Sequence, residues 1–223
     1  MASGGRDYIN NIYIIQEGTK VYIHVVCRKI EQLGVGVSRR VQIGHVKVGP
    51  QSHLVPGPEM IAAEAAKAYD CILPDLQRAY RKSGNSAAMA SAKWRRYSRV
   101  AYPSATHGGR LVNNYANEAS RKYAGFENAG KMPKGAVLAK DSFSVSKTGA
   151  LGVGPLFIME KMAPGFSKAS GDWRYTMIMP DGSIFGVTNG KGAARMKFCA
   201  ECHAAVGETQ DHMFFLPAEF RVK

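Results

Sequence analysis

Trp173-Arg174-Tyr175-Thr176-Met177-Ile178-Met179-Pro180-Asp181-Gly182-Ser183-Ile184-Phe185-Gly186-Val187 reads as two β-strands about a turn. Aromatic and β-branched residues favour the pleated flanks, and Pro180-Asp181-Gly182 supplies the turn residues between them. Upstream, Arg110–Ala116, Ala136–Val145 and Leu156–Met162 carry the same strand signature, with a small helix expected to begin near Asn117. Earlier still the texture is helical: Glu59–Leu73, a second helix opened by Pro74 in its first turn, and Ser86–Tyr97 behind Asn85 as N-cap. With Ala, Leu, Tyr and Trp94 at mixed spacing, these read as packing elements. A last helix is expected over Lys191–Gly207, rich in alanine and stopped by Gly207. The sum predicts an α+β fold, an antiparallel β-sheet flanked by helices with the C-terminal helix at its end.

That last helix carries Cys199-Ala200-Glu201-Cys202-His203. A C-x-x-C-H run is the sequence mark of covalent c-type haem attachment. On a helix, Cys202 and His203 lie three and four residues beyond Cys199, so all three side chains share one face. Two thiols then reach two vinyl groups while the imidazole of His203 reaches the iron, which makes His203 the metal ligand. A zinc site recruiting His203 or His212, and a dithiol redox pair, are the rival readings. The other cysteines, Cys27 and Cys71, stand singly rather than as a second pair. The Cys199–Cys202 pair also falls late in a helix rather than opening one after a strand, so haem accounts for the run best.

The chain of 223 residues is 45% hydrophobic, enough for one substantial core, and no stretch approaches the length of a membrane-spanning helix. Thirty Lys plus Arg against 17 Asp plus Glu give a net charge of +13, a surface suited to anionic partners such as an acidic redox protein. The basic residues are dispersed, with short doublets such as Arg39-Arg40 and Arg95-Arg96, and no nucleic-acid module accompanies them. Residues 1–58 differ in texture, with β-branched runs at Val21–Val26 and Val41–Val48, and close on Val55-Pro56-Gly57-Pro58. They read as an N-terminal appendage before a 59–223 haem domain. Cys27 in it and Cys71 form either a disulfide or two lone buried thiols. Thioether attachment of haem implies export, yet residues 1–20 carry Arg6, Asp7, Asn10, Asn11 and Glu17, and Ile12–Ile15 is too short for a signal core. Either the signal has been removed or replaced, or the written start is not the native one.

An ordered set of features resembles the cytochrome P-460 family, whose fold is shared by the cytochromes c-prime beta. These are the strand from Arg110, the helix at Asn117, Met132-Pro133-Lys134-Gly135-Ala136-Val137-Leu138-Ala139-Lys140, Gly171-Asp172-Trp173, the C-x-x-C-H run, and Asp211-His212-Met213-Phe214-Phe215. The similarity is clearest from about His107 onward and weaker from about Glu59. It implies a periplasmic homodimer with covalent haem c and iron, acting on a small nitrogenous substrate or gas and passing electrons to an acceptor cytochrome. The family's hydroxylamine-oxidising members join a lysine to the porphyrin in a Gly-x-x-x-x-Lys segment. Lys140 holds that place after Gly135, with an ordinary solvent-reaching strand lysine as the alternative. Those enzymes also use a carboxylate on the open side of the haem; the matching place here falls on Phe157 or Ile158, with Glu160 and Asp141 as substitute acids. An apolar wall there would instead suit nitric oxide binding, as in the cytochromes c-prime beta, and a simple electron-transfer cytochrome c with a Met or His sixth ligand is the third reading. Arg110 is a candidate partner for a haem propionate, since a guanidinium forks onto a carboxylate. His107 and His212 are candidates for a sixth ligand or are solvent-facing, and Met177 and Met179 read as core or pocket wall.

Overall fold

The computed structural model describes the backbone of residues 8–17, 20–29, 58–145 and 151–223, and the side chains of 64–145 and 151–223. Strands β1 (Tyr8–Glu17) and β2 (Lys20–Lys29) pair as an antiparallel hairpin, Tyr8 opposite Lys29 and Glu17 opposite Lys20. The expected run at Val41–Val48 lies outside the described residues, as does the Cys27 side chain. Cys71 is disulfide-bonded.

Helix α1 spans Pro58–Arg81 without interruption, so Pro74 sits inside it rather than opening a second helix. The carbonyl four residues back, on Asp70, loses its amide partner but is exposed to water, as is Pro74 itself. Burial of Tyr69, Ile72, Leu76 and Tyr80 along the opposite stripe offsets the lost bond. Helix α2 is shorter than its sequence suggests, Ser86–Ser91, although Asn85 caps it as expected by accepting from the Ala88 amide at 3.0 Å. The Ser91 hydroxyl donates back to the Ala88 carbonyl, and beyond it Arg95–Arg96 (β3) leaves the helical path to pair with the sheet.

The remaining strands are β4 (Tyr102–Ser104), β5 (Arg110–Ala116), β6 (Val137–Val145), β7 (Leu151–Val153), β8 (Leu156–Lys161), β9 (Trp173–Ile178) and β10 (Ile184–Val187). They form one antiparallel sheet in the order β10-β9-β8-β6-β5-β3, with β4 also on β5 and β7 also on β6. The hairpin expected from Trp173 to Val187 is β9 and β10, and a 3-10 segment at Glu118–Asn128, capped by Asn117, follows β5. The α+β architecture is thus present, and both faces of its sheet are covered. Alternation along β6 assigns them: Val137, Ala139 and Phe143 pack with Ile158 and Ile178 under α1, while Leu138 packs with Trp173, Tyr175 and Met177 on the other face. On that second face lie the C-terminal segments α3 (Lys197–Ala204) and α4 (Gly207–Gln210).

Candidate functional site

The single helix expected over Lys191–Gly207 is three pieces: a 3-10 turn at Ala193–Met196, then α3, then α4. The break after Ala204 serves the site. Chain reversal brings Asp211 and His212 back beside α3 at φ 47° and 63°, left-handed conformations costing roughly 1–2 kcal/mol per non-glycine residue. In return the His212 carbonyl lies 2.6 Å from Nδ1 of His203. Glycine is required at both walls of this turn, because a Cβ on Gly171 or Gly207 would strike the His212 ring. The turn is anchored from three sides. Asp211 accepts from Lys161 Nζ at 2.6 Å and from the Met132 amide at 2.9 Å, and its carbonyl accepts from Trp173 Nε1 at 2.7 Å. Lys161 also reaches the Gly171 carbonyl, and the Lys161–Asp211 pair is buried.

Between α3 and the sheet lies a cavity of about 330 Å³. Cys199, Cys202 and His203 line it from α3, Leu138, Lys140, Phe157 and Tyr175 from the sheet, and Met213–Phe215 from the segment after α4. The two thiols are free, and Nδ1 of His203 is engaged, which leaves Nε2 to act as the donor atom. The His203 ring packs against Tyr175 and Phe214, centroids 5.2 and 5.3 Å away, and burial holds its pKa down to about 4. Burial, with Cys202 second, pushes the Cys199 thiol up to about 11. The Tyr175 hydroxyl is buried in this wall without a partner among the described residues, an unmet polar group of the kind a bound cofactor satisfies.

Lys140 stands on the cavity wall, its amine without a hydrogen-bond or ionic partner among the described residues; desolvation lowers its pKa to about 8. It pairs in register with Phe157, which lies beside it on the same face. The other expected site residues are elsewhere. Glu160 forms an ion pair with Arg174 and does not line the cavity. Asp141 points to the α1 face, where it accepts from Tyr69 at 2.7 Å and from the amide and side chain of Asn113. Arg110 donates to the His107 carbonyl at 3.1 Å and is absent from the cavity wall. Met177 is core, and His212 is packed in its turn. His107, in contrast, is half-buried on the cavity wall, a place its loop position alone does not reveal. Sequence reading also left Lys161 without a role, although the Gly108-Gly109 step and the Asp211-His212 pair are visible marks of tight turns.

A free pair of thiols and an imidazole with one nitrogen anchored, all facing one apolar cavity against an antiparallel sheet, define a haem protein of the c type. Residues 91–215 match the family model Cytochrome P460, and the chain belongs to that family. The membership implies a c-type haem with iron, and the cavity fits one: Cys199 and Cys202 would hold the ring and His203 the iron. No curated protein matches the chain. Among the described residues no helix is long and apolar enough to cross a membrane.

Proposed function

We propose that the chain is a periplasmic haem protein that oxidises hydroxylamine, with haem c held covalently by Cys199 and Cys202, ligated by His203 and joined to Lys140. The observation that carries this reading is Lys140: an unpaired, desolvated amine on the wall that Cys199, Cys202 and His203 share. With a pKa of about 8, roughly a tenth of it is the free, nucleophilic amine at pH 7. An ordinary solvent-facing lysine would be almost wholly protonated. When bound, the haem supplies the redox-active iron and the conjugated ring that accepts electrons. The chain's own residues would do the rest: the His212 carbonyl orients His203, the apolar wall of Leu138, Phe157 and Met213 excludes water, and Lys140 holds its amine at the cavity wall, where an N–C bond to the ring would replace a ring C–H bond, with two electrons and two protons passing to an external oxidant of the peroxide class. Electrons leave to an acceptor cytochrome, and the functional unit is a homodimer.

A second reading, nitric oxide binding as in the cytochromes c-prime beta, is favoured by a different observation. Among the described residues no carboxylate lines the cavity, and Phe157 and Ile158 do. The reduced absorption spectrum separates the two. A broad, strongly red-shifted Soret band that reverts to an ordinary c-haem band in Lys140→Met, together with loss of hydroxylamine oxidation, supports the first. An ordinary band in the parent protein, with nitric oxide binding and no turnover, supports the second.

A further inference from the structure

His107 ends the 3-10 turn Ala105–His107 between β4 and β5, and the structure fixes it at three points. Its carbonyl accepts from Arg110 Nη1. Gly108 and Gly109 follow at φ 76° and 65°, and a Cβ on Gly108 would collide with that guanidinium. Its ring stands edge-on to Phe157, centroids 4.7 Å apart. Its Nδ1 lies 2.8 Å from Ser104 Oγ and 3.2 Å from Thr106 Oγ1. The Ser104 hydroxyl is buried and has no other hydrogen-bond partner among the described residues; we assign it as the donor to Nδ1, the one arrangement that satisfies its hydrogen, and that assignment puts the ring proton on Nε2. Nε2 itself has no partner among the described residues, while Ser104, Thr106, His107 and Phe157 all line the cavity. Burial first and Lys140 second hold the His107 pKa to about 3, so the ring is uncharged near neutral pH.

We propose that His107 is the ligand-recognising residue of the cavity: its Nε2–H donates a hydrogen bond to the outer oxygen of a small N–O ligand held between the loop and His203. The ligand class is therefore small molecules with a terminal oxygen acceptor, which both hydroxylamine and nitric oxide present. This rests on the haem reading above and holds for either of its two functions. An uncharged N–H at this place stabilises the partial negative charge that the outer oxygen of such a ligand carries.

Carbon monoxide bound to the reduced, haem-loaded protein is the probe, since its stretching frequency reports the field at its outer oxygen. A donor there lowers the frequency. In His107→Leu the C–O stretch should rise and carbon monoxide should dissociate several-fold faster, whereas His107→Gln, which keeps an N–H donor, should stay near the parent on both readouts. An unchanged stretch in His107→Leu overturns the proposal. So does a parent protein whose low-spin, six-coordinate spectrum becomes five-coordinate in His107→Leu, which would make His107 an iron ligand. A parent that takes up no carbon monoxide refutes the open site, and the proposal with it. The Soret position of the same samples reports Lys140 separately, so failure at His107 leaves the Lys140 reading standing.

Discussion

Lys140 and Asp141 are neighbours in β6 and face opposite sides of the sheet, a half-buried lysine and a buried carboxyl, each with a shifted pKa. Burial raises Asp141 from its ordinary 3.8 to about 6, despite hydrogen bonds from Tyr69 and Asn113 that pull the other way. A carboxyl whose pKa is higher folded than unfolded binds protons preferentially in the folded state. Its contribution is fully present below the unfolded value and is lost as pH rises through the folded one, a loss of about 3 kcal/mol between the limits. His107, held low, works in the opposite sense over part of this range, so the parent's curve alone does not isolate Asp141. The difference between the parent and Asp141→Asn does: the variant should gain relative stability as pH goes from 4 to 7, read from denaturant midpoints. A constant difference across that range would rule the linkage out. The alternation of β6 was legible in the sequence, but not the location of the cavity, because a strand buried on both faces shows no polar side. Lys140 therefore reads equally as a solvent lysine until α3 is seen to cover its face.

At the scale of elements, the segment after α3 shows how a terminal turn supports a ligand. The cost of two left-handed residues, Asp211 and His212, is met by the Lys161–Asp211 pair, the Trp173 indole and the Met132 amide. Removing one partner of a buried pair leaves an uncompensated charge, so Lys161→Met should destabilise the fold by about 3–5 kcal/mol in guanidinium unfolding. If the turn's role is to hold the His212 carbonyl against His203, haem-loaded Lys161→Met should also show a lower iron–histidine stretching frequency, because a weakened hydrogen bond leaves the imidazole a poorer donor. Lost stability with an unchanged iron–histidine frequency would reduce the pair to scaffolding. The sequence marked Gly207 as a stop, yet α3 ends at Ala204 and α4 begins at Gly207, where the missing Cβ leaves room for the returning His212 ring. Helix propensity says nothing of such a demand, since the ring that fills this space arrives from five residues further on.

For the whole molecule, the strand and turn chemistry predicted the antiparallel sheet, and the pentapeptide predicted its cofactor class, since both rest on local spacing. The short strands β3, β4 and β7 and the continuity of α1 were not legible, because pairing on β5 and β6 and burial against the sheet decide them. Net charge is legible without any fold. At +13 the protein should meet anionic redox partners faster than neutral ones, and salt should weaken that advantage as the screening length falls from about 30 Å at 0.01 M to below 10 Å above 0.1 M. Oxidation of the reduced, haem-loaded protein by ferricyanide should therefore slow by roughly tenfold or more between those conditions. Oxidation by the cationic tris-phenanthroline cobalt(III) complex should speed up over the same range, which excludes a general salt effect on the protein. Two haem propionates change the balance by two charges at most and cannot reverse its sign. Rates that respond to salt identically for both oxidants would mean that the basic residues are too dispersed to steer encounter. The electron acceptor would then have to be recognised by close contact, for which the exposed Phe198 and Phe214 rings at the cavity are the available apolar surface.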